Sequence, residues 1–306
     1  MHFQPRNLRK TLRHGVACLA AFAMISCAVP CLAGEVIDRI ERTFSVKERP
    51  FIYVRNSDGR VSLKATSGSE VRVVAVKEVM KAASAEEARQ QASRIEVRIE
   101  QTGNRIDVEA KYPKNWGSWM HDTQVLVHFE VTGPVASDMD AHSSDGALEV
   151  EGFNGRLELS TSDGKLRAAN CSGRINAHVS DGEMHITAAQ GELEARSSDG
   201  RMTLDGTFKG LNVKSSDGDV DITVRPGSVM DREWAVNSSD GGISLRLPEG
   251  FDAELDVSTS DGSIRIDHPI TLAGGKLSTN HMTGRLNKGG SLLHIHSSDG
   301  SVTISK

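Results

Sequence analysis

Aromatic side chains are scarce in this chain of 306 residues: eight Phe, three Trp and two Tyr, 4% of the total. That scarcity excludes a thick core built on large rings and points to an interior of small aliphatics. Cysteine is as rare. There are four, and Cys18, Cys27 and Cys31 all fall within the segment 1–33. Only Cys171 lies beyond, so a chain without that leader has no intrachain disulfide. Positive charge is not in excess: 36 Lys and Arg stand against 41 Asp and Glu, a formal net charge of −5. That balance gives no basis for a nucleic-acid binder. No segment after Ala33 is apolar enough for a membrane-spanning helix. Charged residues, at 25%, argue against wholesale disorder.

The segment 1–33 reads as an address, a secretory signal peptide. Arg6, Arg9, Lys10 and Arg13 precede an apolar stretch over 15–29, and Cys31-Leu32-Ala33 supplies a small-residue cleavage site before Gly34. The alternative is lipidation: Met24-Ile25-Ser26-Cys27 resembles a lipobox with Met in place of the usual Leu, which would make Cys27 the anchored residue. Removing the leader takes away four basic and no acidic residues, leaving a net charge of −9. The expected location is outside the cytoplasm: periplasm, cell envelope or secreted.

What the chain has in abundance is a repeat. Ser-Asp-Gly begins at 57, 144, 162, 180, 198, 216, 239, 260 and 298. From 144 the spacing is constant over five copies, then widens toward 239 and 260, and roughly doubles before 298. The midpoint of the last gap, Ser278-Thr279-Asn280-His281, reads as a degenerate copy. A second glycine (Gly155, Gly173, Gly191, Gly210) halves the unit, and strict apolar-polar alternation follows each glycine. Alternation of period two marks half-buried strands. The unit is therefore strand, turn, strand, turn. Stacked units predict an all-β, single-stranded parallel β-solenoid (β-helix) with coils of about 18 residues in two half-coils. One expected inward ladder is Leu148, Leu166, Met184, Met202, Val220, Ile243, Ile264 and Val302.

The turn glycines Gly146, Gly164, Gly182, Gly200, Gly218, Gly241, Gly262 and Gly300 are expected to supply positive φ, with Asp and Ser bonding the turn backbone. The alternative for this column is calcium, held by Asp145, Asp163, Asp181, Asp199 and Asp217. Against it, calcium wants six to eight oxygens, and β-roll loops carry more glycine.

Residues 34–140 do not repeat and read as an N-terminal cap over a solenoid of 141–306. Ser84-Ala85-Glu86-Glu87 is a capping box that opens a helix over about 84–93. Tyr112, Trp116 and Trp119, with His121, form an aromatic loop read either as a packed lid or as a ligand-contacting loop. The chain stops at Lys306 midway through a coil, which predicts an open C-terminal edge available for self-association.

The order of leader, Asn56-Ser57-Asp58-Gly59-Arg60-Val61-Ser62-Leu63, short helix, Val131-Thr132-Gly133-Pro134 and tandem Ser-Ser-Asp-Gly units resembles a bacterial β-strand-repeat family called "putative adhesin", a domain of unknown function. The resemblance covers 40 to 306. It implies a parallel β-helix outside the cytoplasm and supplies no catalytic residues.

No P-loop, dinucleotide fingerprint, nucleophile elbow or zinc-protease motif appears. His294 and His296 read as a surface pair, and Cys171 as a turn residue. The expectation is a non-catalytic, adhesin-like binding or scaffold module with no cofactor. Its partner would be a cell-envelope or surface component, glycan or protein, and not a nucleic acid. The alternative is a carbohydrate-active β-helix enzyme, a polysaccharide lyase or hydrolase.

Overall fold

A computed structural model of the chain describes residues 35–113, 124–272 and 280–306. The expected leader, with Cys27, lies outside the described residues, as do Trp116, Trp119, His121, and Ser278 and Thr279 of the expected degenerate turn. The described protein is all-β apart from one helix, Ala85–Ala92, and its strands join one hydrogen-bonded network. No helix among the described residues is long and apolar enough to cross a membrane.

Strands pair in parallel at the spacing of the repeat. Leu157 lies beside Ile175, Ile175 beside Leu193 and Leu193 beside Leu211. Across the turns, Leu148, Leu166, Met184, Met202, Val220 and Ile243 form a second ladder, each beside the next. All these side chains are buried, because alternation sends every second residue inward. They belong to one continuous apolar core. The rings are in it as well. Phe153, Phe208 and Trp234 are fully buried and Phe251 nearly so. These few rings thus sit inside, among the small aliphatics. Trp234 packs edge-to-face on Phe208, centroids 6.4 Å apart, and lies 5.4 Å from Phe251. These rings fill the interior where the repeat lengthens.

The turns stack into a column. Beyond the first turn, the Asp N–H of each Ser-Asp-Gly donates to the Ser carbonyl of a neighbouring turn, as from Asp145 to Ser57, Asp181 to Ser162, Asp217 to Ser198 and Asp240 to Ser216, each 2.9 Å. The glycines face each other just as closely. A Cβ on Gly146 would stand 1.8 Å from the Gly59 carbonyl oxygen, and one on Gly182 1.9 Å from that of Gly164. Of the Ser-Asp-Gly glycines only Gly59, at φ 102°, is left-handed. The expectation of positive φ at Gly146, Gly164, Gly182, Gly200, Gly218, Gly241, Gly262 and Gly300 is therefore corrected. Glycine stands there because backbone approaches backbone, leaving no room for a side chain.

A second column lies just inside the first. The residue before each Ser-Asp-Gly is buried: Asn56, Ser143, Thr161, Val179, Ser197, Ser215, Ser238, Thr259 and Ser297. Ser197 Oγ donates to the Gly200 carbonyl (3.0 Å) and Ser215 Oγ to that of Gly218 (2.7 Å). Thr259 Oγ1 reaches across to the Gly300 carbonyl at 2.9 Å. These hydroxyls satisfy turn carbonyls that stacking hides from solvent.

Both ends of the stack are interleaved. The strands Phe51–Asn56 and Val61–Thr66 lie between the coil at 138–151 and strands Arg105–Lys111 and Gln124–Pro134. The stack thus begins before residue 141, and residues 34–306 form one compact unit. At the other end Val302 lies between Ile243 and Ile264, and Ile295 between Val236 and Val257. The expected open C-terminal edge is corrected: the last strands are internal. The outermost coil is instead the one at 253–266, and His281–Leu286 covers Ala253–Thr259 in antiparallel fashion. At the opposite end Glu70–Met80 and Glu96–Thr102 cover the outer strands, also antiparallel. Antiparallel covers shield most of the outer strands, which lowers their tendency to recruit another chain.

The helix starts as its capping box dictates. Ser84 Oγ accepts from the Glu87 N–H at 3.2 Å, and Glu87 Oε2 accepts from the Ala83 N–H at 3.0 Å. Buried Lys77 closes the other end, donating to the Ala92 and Ile95 carbonyls (3.2 and 2.9 Å). A cation there also suits the helix dipole.

The close turn column makes a direct prediction. Gly182→Ala must push two coils apart and should lower stability by about 2–4 kcal/mol in denaturant unfolding. Gly68→Ala, where a Cβ meets nothing within 4 Å, should stay within about 0.5 kcal/mol of the parent. Equal effects at the two sites would show that the column tolerates side chains.

Candidate functional site

Outward residues on the strands before the turns form a long polar face. The central ladder runs Tyr53, Asp140, Glu158, Asn176, Glu194, Asn212 and Ala235, in spatial order. The ladder nearer the turns runs Arg55, His142, Ser160, His178, Arg196 and Lys214. A row rich in carboxylates therefore lies beside a row rich in cations. Glu158 accepts twice from Asn176 Nδ2, at 2.9 Å to each oxygen, and Glu194 pairs with Arg196.

Two adjoining clefts open on this face. The larger, about 360 Å³, lies among Arg174, Glu192, Asn212, Arg232 and Ala235. The smaller, about 190 Å³, lies among Asp140, Glu158, Ser160 and His178. Asn176 and Glu194 line both. In the larger cleft Glu192 holds two guanidinium groups, Arg174 at 2.6 Å and Arg232 at 3.0 Å. Burial opposes the Glu192 charge, but the two arginines outweigh it and hold its carboxyl below the ordinary value. The sequence signalled none of this, because Arg232 arrives from the long turn after Val224 and Gly210 reads as an ordinary half-unit glycine.

The Asp column lies at the surface. The backbone N–H groups of Asp145, Asp163, Asp181, Asp199 and Asp217 carry the turn ladder, and none of these residues is buried. Among the described residues no three His, Cys, Asp or Glu side chains converge as a metal site requires. His294 and His296 are not paired with each other. His294 Nδ1 and His281 Nε2 meet the two oxygens of Asp256, at 3.2 and 2.9 Å, and His296 Nδ1 meets Ser258 Oγ at 3.0 Å. Burial raises the Asp256 pKa, but these imidazoles prevail and lower it. Cys171 is buried, its Sγ donating to the Ala169 carbonyl at 3.4 Å, and burial pushes the thiol up. That is the opposite of an activated thiolate.

Of the aromatic loop, Tyr112 is described. It packs against the core, and its hydroxyl donates to the Asp58 carbonyl at 3.0 Å. Burial, then the Asp58 charge, raise its pKa. Asp58 itself is half-buried, and burial and then the neighbouring Asp145 carboxylate raise its pKa above the ordinary value.

These carboxylates lead to two tests. Folded Asp58 binds its proton more tightly than the unfolded chain does. Its stabilising contribution is complete below the ordinary value and is lost as pH rises through the raised one. Asp58→Asn should thus raise the melting temperature at about pH 7 and leave it unchanged at about pH 3. A gain of equal size at both would show that the charge carries no cost. For the surface Asp column, melting curves in excess calcium and in excess chelator should coincide; a clear rise with calcium would reinstate a cation there.

Comparison with known proteins gives the setting. Similar solved structures include one described as a "putative adhesin" from Parabacteroides merdae, 11% identical, TM-score 0.44, covering 88% of this chain and 97% of that one. Another "putative adhesin", from Bacteroides fragilis, is 10% identical with a TM-score of 0.42, covering 87% and 97%. A third is a "putative lipid binding protein" from Parabacteroides distasonis, 11% identical, TM-score 0.43, covering 88% and 97%. Curated proteins yield no match. The family model described as Toastrack DUF4097 matches residues 47–233 and 192–305. With those matches spanning the repeated turns and most of the chain, the resemblance read from Ser-Asp-Gly is borne out, and the protein belongs to the Toastrack DUF4097 family.

Proposed function

We propose that the chain is a non-catalytic binding module that works outside the cytoplasm, its coils forming one continuous solenoid face toward a cell-envelope or surface component. The observation that carries this reading is the polar face itself. It is long, regular and open, and its clefts are lined by groups already engaged in ion pairs. A carboxylate held ionised between two arginines, as Glu192 is, suits recognition better than proton transfer. Catalysis on a sugar would need two carboxyl groups with opposed protonation. The extracytoplasmic half of the proposal rests on the leader pattern of the segment 1–33.

The two halves are tested separately. Fused to alkaline phosphatase, the segment 1–33 should confer periplasmic activity; an inactive fusion overturns the location. Purified chain should co-sediment with envelope fractions and release no reducing or unsaturated sugar from a polysaccharide panel. Steady product release would establish the enzyme reading instead, and failure to sediment with any fraction would remove the binding one.

A further inference from the structure

The larger cleft is not an accident of a rough surface, because a defined departure from the repeat makes it. Elsewhere the outer ladders carry long side chains, such as Arg156, Arg174 and Glu192 in one row and Glu158 and Glu194 in the next. Over the two coils after Gly200 those rows shrink. Gly210 stands beside Glu192 after a shift in strand register, and Ala235 beside Asn212. The depression is the space that two long side chains would have occupied.

Gly210 also clears a path. A Cβ there would come within 3.0 Å of Arg232 Nη2 and 3.2 Å of its Nε. Arg232 lies over this glycine and reaches Glu192, which Arg174 also holds. One wall of the cleft is thus fixed before any ligand arrives, and pre-organisation of this kind lowers the cost of binding.

The lining has a consistent chemistry. Arg174 and Arg232 each carry five N–H groups, more than Glu192 can accept. Asn176 spends its amide N–H on Glu158, which leaves its carbonyl oxygen as an acceptor. Asn212 adds a further amide, with both a donor and an acceptor. Donors and acceptors thus lie side by side along the cleft. Two arginines stand against Glu192, Glu194 and Glu233 in the larger cleft, and the smaller adds Asp140 and Glu158 against Arg196, so the track carries an excess of carboxylate and does not suit a phosphate or another anion. Neighbouring hydroxyl groups, which both donate and accept, are the matching partner. Among the described residues no Phe, Tyr or Trp ring lines either cleft, so recognition works mainly through hydrogen bonds.

We propose that these two clefts form a continuous saccharide-binding groove for an uncharged, hydroxyl-rich oligosaccharide lying along the stack. The larger cleft, at about 360 Å³, falls within the usual range for small-ligand sites. The shared Asn176 and Glu194 make the two clefts one track. The proposal rests on the binding-module reading and narrows it to one ligand class and one place.

The test uses the full chain, exported and purified from its host. Calorimetry is run with cello-, chito-, xylo- and malto-hexaoses, and with polygalacturonate as the charged comparison. At least one neutral oligosaccharide should bind. Asn212→Ala should weaken that binding by about fivefold, the loss of one hydrogen bond. Ala235→Arg, which refills the larger cleft, should abolish it. Both variants sit on the outer face and should melt with the parent; a variant that melts lower is replaced by Asn212→Asp or Ala235→Gln. Failure of every neutral sugar, binding of polygalacturonate alone, or binding indifferent to both positions would each overturn the groove. Envelope binding that survives Ala235→Arg would overturn the groove while leaving the binding module intact. Loss of all envelope and oligosaccharide binding in the parent would remove both.

Discussion

The structure depends on one close approach: the backbone of each Ser-Asp-Gly turn lying directly against that of the next. An Asp N–H and a Ser carbonyl meet at 2.9 to 3.0 Å, and the glycine beside them leaves no room for a Cβ. This contact sets the rise of the stack and keeps both strands of a coil in register with their neighbours. The inward ladders are buried as a consequence, since a slip of one residue would turn every side chain to the other face. Thr161, Ser197, Ser215, Thr259 and Ser297 behind the turns serve the same contact from inside, by supplying donors to carbonyls that the stacking hides.

Such regularity leaves little room for a site. Where every coil repeats the last, the outer rows are filled with paired charges, each pair worth at most about 1 kcal/mol on an open surface. The larger cleft opens where the repeat loosens, between the turns at 198 and 239. There the Phe208–Trp234–Phe251 cluster fills a wider interior, and the extra residues before Trp234 send Arg232 back across the face. The packing irregularity and the concave surface are two sides of one insertion.

The pairing of Leu148, Leu166 and Met184 was legible in the sequence because alternation and the constant period together allow one register. The order of coils at the ends was not. Each Ser-Asp-Gly turn presents the same atoms to its neighbours, so local pattern cannot tell whether Val302 docks beyond Ile264 or between it and Ile243. The glycines were found by pattern but explained wrongly, since positive φ and close approach both select glycine and only coordinates separate them. The hydroxyl column had a signal, a Ser or Thr recurring before most turns, which merges with the turn motif when read along the chain. The cleft could not be read at all: Arg232 and Glu192 sit in different coils, and nothing local joins them.

The interleaved ends bear on how the chain reaches this arrangement. The coils from 144 to 239 could zip up in the order in which they emerge. The outer coils cannot, because a strand pair from elsewhere in the chain must slot in beneath each of them. Strands 253–266 have no floor to dock on until 292–305 has been laid over 234–246. The strands at 292–305 therefore act as a latch. The sequence separation between Ile243 and Val302 makes that closure a long-range event, slower than the nearest-neighbour growth of the middle.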